Sequence, residues 1–362
     1  MDKNTRIGIL TYPYYSFPPK KYGPMQEVAS DISSGLSDRG YDVTTFATGD
    51  SKLSGKIIAV KETGAIDDPT VPGPKIYEFL TYQKLLENKN SFDVLSSHIT
   101  FHILPFVEFL HYPIVINLQS DYSNPHFKKI FYPYKNYYYV SSNYGQRKAL
   151  PELNFIANIH HGIDVNKFTF EENPQNQFAF LGRTSPVKGL DVAIEVAKKA
   201  QVKLLIGARK DPTLEAENFY ERRIKPQIDN KDIIWLGELG EKEKIDLLKN
   251  SKALIFPINW EESFGLVMIE AMACGTPVIA YNRGSVSEVV EDGVTGFVCP
   301  PNDKDALVEA IQKINEMPKE DYSKMRRNCR KRVEEQFTVK IMVNNYEKVF
   351  EKVIIDWRSK NG

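Results

Sequence analysis

Short apolar runs alternate with longer amphipathic stretches nearly from end to end of this chain, and the alternation restarts once. Arg6-Ile7-Gly8-Ile9-Leu10-Thr11 reads as a buried strand, Pro24 to Arg39 as a helix closed by Gly40, and Tyr41 to Ala47 as the next strand. Phe92–Ser97, Pro113–Leu118, Tyr137–Ser141 and Asn154–Ile159 continue the strands, with helical segments near 74–88 and 100–110. Strand, helix, strand repeated in this way predicts parallel sheets covered by helices on both faces. After His160-His161-Gly162-Ile163-Asp164 comes a polar stretch, Glu171 to Gln177, with little to bury, which reads as a linker. Beyond it Phe178–Gly182, Val202–Ile206, Ile233–Leu236, Ala253–Pro257 and Pro277–Ala280 read as strands, and Asp191–Ala200 and Phe264–Ala273 as helices. Lys340 to Trp357 reads as one long amphipathic helix. The expected fold class is α/β, two doubly wound Rossmann-like domains facing a central cleft, because ligands of such sheets bind beyond the carboxyl ends of the strands.

A length of 362 residues fits two domains. Lys plus Arg and Asp plus Glu number 47 each, so the balance supplies no global pull toward nucleic acid or an anionic membrane. Cys274, Cys299 and Cys329 are widely spaced without a Cys-x-x-Cys pair, which fits free thiols in a reducing cytoplasm. The start, Met1 to Arg6, leads into an apolar stretch too brief for a secretory signal. The longest apolar candidate, Ile103 to Leu118, is interrupted by Pro105, Glu108, His111 and Pro113, short of what a membrane span needs. A cytoplasmic protein is expected.

The most informative segment runs from Trp260 to Ala280. Ser263 reads as the N-cap of a helix from Phe264, Gly275 as the residue just past its end, and Pro277 as the start of the next strand. That helix begins at the carboxyl end of a strand, so its first N–H groups and positive dipole end suit a phosphate, and Gly265 lets a ligand approach the backbone. Glu270 lies about 9 Å further along the axis, a depth suited to the hydroxyls of a ribose attached to a diphosphate. Its small, apolar neighbours Ile269, Ala271, Met272 and Ala273 predict a packed helix, where an unpaired carboxylate is costly. Glu262 stands just before the helix. Upstream, Gly182-Arg183-Thr184-Ser185-Pro186-Val187-Lys188-Gly189 follows the first strand of the second half, so Arg183 and Lys188 emerge at the same edge, a planar fork and a point charge for a diphosphate.

Together these residues resemble the retaining glycosyltransferases of family 4, with the two-domain GT-B fold. The second half carries the resemblance almost continuously, from Phe180-Leu181-Gly182-Arg183 to Gly293-Val294-Thr295-Gly296-Phe297, around two glutamates with seven residues between them, Glu262 and Glu270. The resemblance implies an acceptor-binding domain over 1–168, with the helix 340–362 packed back on it, and a nucleotide-sugar-binding domain over 169–339. It implies Arg183 and Lys188 on the diphosphate beside Gly182 and the backbone at Ser263, Phe264, Gly265, Leu266 and Val267. Glu270 would take the ribose hydroxyls, Glu262 a donor-sugar hydroxyl, and the backbone near Leu236 and Glu238 the base. In the first half, Pro19-Lys20-Lys21-Tyr22-Gly23-Pro24 stands where the family has a loop ending in two glycines, and Pro24 has no amide hydrogen, leaving Gly23 to approach the donor. Phe92 to His98 matches a strand ending in a cleft histidine, which assigns His98 a catalytic role. Where a second histidine is usual the chain has Gln119, which can hydrogen-bond a sugar hydroxyl but cannot relay a proton. Gln119, Tyr22 and Asp121 are the acceptor-side candidates.

The activity implied is retaining, metal-independent transfer of a hexosyl group from a nucleoside diphosphate sugar to a hydroxyl acceptor, with no further cofactor. The alternative is a nucleotide-sugar-binding protein of the same fold with weak or absent transfer, suggested by Pro24 and Gln119. A nicotinamide dehydrogenase would show Gly-x-Gly-x-x-Gly after the first strand, and no such loop follows Gly8-Ile9-Leu10-Thr11. Hydrolysis of a nucleotide sugar by paired carboxylates also suits the fold. In Asp303-Lys304-Asp305, Asp303 reads as a helix N-cap rather than a metal ligand. The run Lys324, Arg326, Arg327, Arg330, Lys331 and Arg332 reads as a solvated helix face balanced by Glu334 and Glu335, with weak peripheral membrane contact as the alternative. The aromatics Phe131 to Tyr139 read as alternate members of a buried strand, or as lining for an acceptor pocket.

Overall fold

The computed structural model describes residues 1–20, 23–66, 68 and 74–361. Tyr22, one of the acceptor-side candidates, lies outside them. The chain divides into two compact units, Met1–Gly162 with Val339–Gly362, and Ile163–Thr338.

The first unit runs β1 (Arg6–Leu10), α1 (Pro24–Ser37), β2 (Asp42–Thr48), β3 (Lys56–Lys61), α2 (Glu78–Glu87), β4 (Val94–Ser97) and β5 (Ile114–Asn117). It continues with α3 (His126–Phe131), β6 (Tyr138–Ser141), α4 (Tyr144–Ala149) and β7 (Phe155–Asn158). Its seven strands pair in parallel in the order β3-β2-β1-β4-β5-β6-β7. The order reverses at β1 and β4, the kind of switch point where doubly wound sheets take ligands. Central strands β4, β5 and β6 are buried on both faces, which is why Tyr138 and Tyr139 are both buried instead of alternating. β3, which the apolar pattern did not reveal, is an edge strand with lysines at both ends.

The second unit runs β8 (Phe178–Arg183), α5 (Leu190–Lys199), β9 (Leu204–Arg209), α6 (Leu214–Phe219), β10 (Ile233–Gly237), α7 (Glu241–Lys249) and β11 (Leu254–Phe256). There follow α8 (Leu266–Ala273), β12 (Val278–Tyr281), α9 (Val286–Val289), β13 (Gly296–Cys299), α10 (Lys304–Glu316) and α11 (Lys319–Gln336). Its six parallel strands are ordered β10-β9-β8-β11-β12-β13. Phe178, Phe180, Ile206, Ile255 and Ile279 of the strands bury against Leu190, Ile194 and Ile311 of α5 and α10.

The last helix, α12 (Val339–Asn361), counts with the first unit. A Cβ on Gly35 of α1 would meet Val343 at 2.7 Å, so α1 and α12 approach through a glycine. Arg39 pairs with Glu347 at 2.6 Å, Tyr138 donates to Asp356 at 2.6 Å, and Tyr346 donates to Asn117 at 2.9 Å.

The helical segment expected near 100–110 is a 3₁₀ helix, Thr100–Phe109, because Pro105 in its middle lacks the amide an α-helical ladder needs. Two expectations need correction. The polar stretch Glu171–Gln177 is no free linker but lies on the second unit, with Glu171 N donating to Cys274 O at 3.2 Å and Gln175 N to Asn250 O at 3.0 Å. The basic run is only partly solvated. Lys324, Arg327 and Lys331 are exposed, but Arg326 is fully buried in α11 and donates to the carbonyls of Glu171, Ser251, Lys249 and Cys274 at 2.6 to 3.2 Å. Its charge sits at the carboxyl ends of α7 and α8, where helix dipoles and unpaired carbonyls stabilise a cation. Arg330 serves the end of α8 through Ala273 O at 2.9 Å, and Arg332 the end of α9 through Val289 O at 2.7 Å.

Asp303 caps α10, accepting from Ala306 N, and Asp305 pairs with Lys199. All three cysteines are free and buried. No helix among the described residues is long and apolar enough to cross a membrane.

Candidate functional site

The carboxyl ends of β8, β9 and β11 gather the charged residues singled out in the second half. β8 ends at Gly182-Arg183, and Lys188 closes the 3₁₀ turn Pro186–Lys188 that follows. Lys188 Nζ donates to Glu262 Oε2 at 2.7 Å, with side-chain exposures of only 13% and 6%, so this ion pair is mostly withdrawn from water. The Trp260 indole N–H donates to the same carboxylate oxygen at 3.0 Å, and its ring lies 4.8 Å from Lys188 Nζ. Burial alone would raise the Glu262 carboxyl, but the charge and hydrogen bond of Lys188, the indole and the Phe264 backbone hold it below the usual carboxylate range.

Arg183 Nη1 donates to Asp211 Oδ2 at 2.6 Å, and Asp211 N donates to Thr184 Oγ1 at 3.0 Å, tying the loops after β8 and β9 together. Glu270 is 5% exposed and receives Lys244 Nζ from α7 at 2.5 Å, which is how a carboxylate survives in a helix packed on most sides.

The helix begins two residues later than expected. α8 starts at Leu266, and Gly265 rather than Ser263 is the N-cap, in the left-handed region at φ +74°. The Phe264 backbone amide is engaged with the Glu262 carboxylate, so it belongs to the glutamate and not to the open helix start. The amides of Leu266 and Val267 remain without an intrahelical acceptor. Leu236 and Glu238 lie at the carboxyl end of edge strand β10, both exposed.

A turn that the sequence reading missed latches this loop. Gly284 N donates to Glu261 Oε2 at 2.7 Å, Ser285 N to Glu262 O at 3.0 Å, and Ser285 Oγ to Phe264 O at 2.8 Å. A Cβ at Gly284 would stand 2.1 Å from Glu262 O, and its φ is +57°, so only glycine fits. Arg283-Gly284-Ser285 just after a strand end was a legible turn signal. Trp260 could have been noticed beside Glu262, but Asp211 and Lys244 had no local signal, because only the sheet order and α7 bring them in.

In the first unit Gly23 is the N-cap of α1, followed by Pro24 at the helix start. Asp121 accepts from Ser123 N at 2.7 Å. His98, expected in the cleft with a catalytic role, is fully buried instead. Its Nε2 lies 3.3 Å from Ser96 Oγ and its Nδ1 2.6 Å from Gln119 Nε2, while burial and the charge of His161 press its pKa down to about 3. Both ring nitrogens face protein and burial disfavours the imidazolium, so the ring is neutral near neutrality, with one nitrogen a donor and the other an acceptor. The described residues contain no group of three or more His, Cys, Asp or Glu that could hold a metal ion.

Residues 164–335, which carry the ion pairs and the helix start, match the model of the family described as glycosyl transferases group 1. This domain is a group 1 glycosyl transferase. Over most of its length the chain is similar to O-antigen chain mannosyltransferase C of Escherichia coli, at 24% identity over 94% of this chain and 97% of that protein. A stretch of 125 residues is 35% identical to N-acetyl-alpha-D-glucosaminyl L-malate synthase of Bacillus anthracis, covering 34% of this chain and 32% of that one. Among solved structures, sucrose-phosphate synthase from Thermosynechococcus elongatus superposes with a TM-score of 0.79 at 18% identity, covering 98% of this chain and all of that one. Anabaena HepE in complex with UDP-glucose superposes at 0.75 and 17% identity, covering 96% of this chain and all of that one. The two parallel-sheet units are those of the GT-B fold, and the second of them carries the glycosyl transferases group 1 domain.

Proposed function

We propose that this group 1 glycosyltransferase moves a hexosyl group from a nucleoside diphosphate sugar to a hydroxyl acceptor, with retention at the anomeric carbon and without a metal. The observation that carries the reading is the pairing of Lys188 with Glu262 beside the start of α8. A cation, a buried carboxylate and open helix amides meet at one strand edge. On this reading the diphosphate takes over Lys188 and Arg183 and meets the amides of Leu266 and Val267, Glu262 turns to a hydroxyl of the donor sugar, and Glu270 holds the ribose. The HepE structure, solved with UDP-glucose, supports a nucleotide sugar as the donor. The second unit is then the donor domain and the first the acceptor domain.

The barrier is departure of the diphosphate from an oxocarbenium-like sugar, so electrostatic stabilisation of the leaving oxygen dominates. The C–O bond to phosphate breaks, the acceptor oxygen bonds the same face of the anomeric carbon, and the acceptor's proton passes to the departing phosphate oxygen. Two cations and a helix start supply the charge that a metal supplies elsewhere.

The first experiment is a melting-point panel with UDP-, GDP- and ADP-sugars, in which the true donor raises the melting temperature. Nucleotide release with that donor should then fall at least about a hundredfold in Arg183→Ala and Lys188→Ala, and should be unaffected by a chelator. Normal rates in both variants refute the assignment. The rival, a donor-binding protein without transfer, draws on Pro24 and on Gln119, which cannot act as an acid or base; binding without turnover over a broad acceptor panel would select it.

A further inference from the structure

Beyond the donor site, the carboxyl end of the first sheet holds a buried polar chain with a defined direction. Tyr346 of α12 donates to Asn117 Oδ1 at 2.9 Å, and Asn117 Nδ2 donates to Ser96 Oγ and Ser97 O, each at 3.0 Å. Ser96 Oγ in turn faces His98 Nε2 at 3.3 Å, and His98 Nδ1 faces Gln119 Nε2 at 2.6 Å. An amide nitrogen only donates, so His98 Nδ1 is the acceptor and the ring proton sits on Nε2, directed at Ser96. Gln119 is also held by its backbone, whose N–H meets the buried Tyr122 hydroxyl at 3.3 Å. The Gln119 side chain is partly exposed, and its oxygen has no hydrogen-bond partner among the described residues.

We infer that His98 is a positioning residue: its Nδ1 takes the Gln119 N–H and thereby turns the Gln119 carbonyl oxygen outward, as the acceptor for a sugar hydroxyl at the end of β5. An amide rotor otherwise presents either end, and fixing the nitrogen inward makes the outward atom a pure acceptor. Such an atom favours a hydroxyl and rejects a substrate lacking it, since the carbonyl would be left unpaired. The neutral ring is needed, because imidazolium has no lone pair to accept with. The groups facing it are Ser96, Gln119, Tyr346 with ring centres 6.4 Å apart, and His161 through its charge. Burial and His161 both disfavour the charged ring, so the accepting Nδ1 is kept near neutrality.

The inference rests on the transferase reading, and its test separates the two. His98→Asn places a carboxamide oxygen where Nδ1 stood, His98→Phe removes the acceptor, and Gln119→Met removes the carbonyl. With the donor that raises the melting temperature, kcat/KM for transfer should fall about tenfold or more in His98→Phe and in Gln119→Met, no further in the double variant, and within about threefold of wild type in His98→Asn. The pH profile of His98→Asn should match wild type between about pH 5 and 9. Should His98→Phe fail to fold, Gln119→Met and His98→Asn still decide. Additive losses, a His98→Asn defect as deep as that of His98→Phe, full activity in Gln119→Met, or a pH limb that vanishes in His98→Asn would each overturn the inference. Absence of any donor-induced melting shift in the wild type would instead refute the transferase reading.

Discussion

Removing the charge of Lys188 with little change in shape, as in Lys188→Met, should strand a carboxylate that has almost no water. Glu262 is 5% exposed, its cation lies 2.7 Å away, and the neutral Trp260 indole and Phe264 backbone would remain beside it. Breaking a buried pair costs about 3–5 kcal/mol, and the surviving neutral donors place this case near the lower end, about 3 kcal/mol. For a domain the size of Ile163–Thr338 that is roughly 6–12 °C of melting temperature. Without its cation the buried Glu262 carboxyl rises above its ordinary value of about 4.3, and a raised folded pKa leaves stability intact below that value and removes it as pH rises. The deficit of Lys188→Met should therefore be full near pH 7.5 and much smaller near pH 4.5. Adding Glu262→Gln should recover most of the loss at pH 7.5, because a neutral amide needs no cation. The measurement is urea unfolding of the four proteins of the double-mutant cycle at both pH values. A deficit under about 1 kcal/mol, one equal at both pH values, or single-variant losses that simply add would refute the claim that Lys188 and Glu262 form a buried, coupled pair.

Gly284→Ala should lower nucleotide release at least about tenfold and the melting temperature by a few degrees, because the new Cβ would lie 2.1 Å from Glu262 O and must displace the latched loop; unchanged kinetics would show that the latch does not position Glu262. Arg326→Met removes the buried cation that the carbonyls of Glu171, Lys249, Ser251 and Cys274 share, and equilibrium unfolding should show a loss of about 3 kcal/mol or more. Arg327→Met, whose side chain is exposed, should cost no more than about 0.5 kcal/mol. Glu270→Gln should weaken donor binding in the melting-shift assay without lowering stability, since Lys244 is 20% exposed and can turn to water.

The legible part of the site was local. The spacing of Glu262 and Glu270, the glycine before the helix and the cations after β8 all lie within short stretches, and a strand-turn-helix pattern assigns them to one sheet edge. Sequence proximity also misled, since Ser263 is a good N-cap type, yet φ +74° at Gly265 moves the helix start past it. The basic run in α11 looked solvated because composition cannot say which face of a helix meets the carboxyl ends of three others.

By itself the sequence determined the alternation that produces two parallel sheets, and the placement of acidic and basic residues at strand ends, because both follow from periodicities of a few residues. Only the tertiary structure decided the partners: Asp211 for Arg183, Lys244 for Glu270, four carbonyls for Arg326, and the inward, neutral ring of His98. Those choices join groups 21 to 155 residues apart, where desolvation and directional hydrogen bonds rule and no local pattern records them.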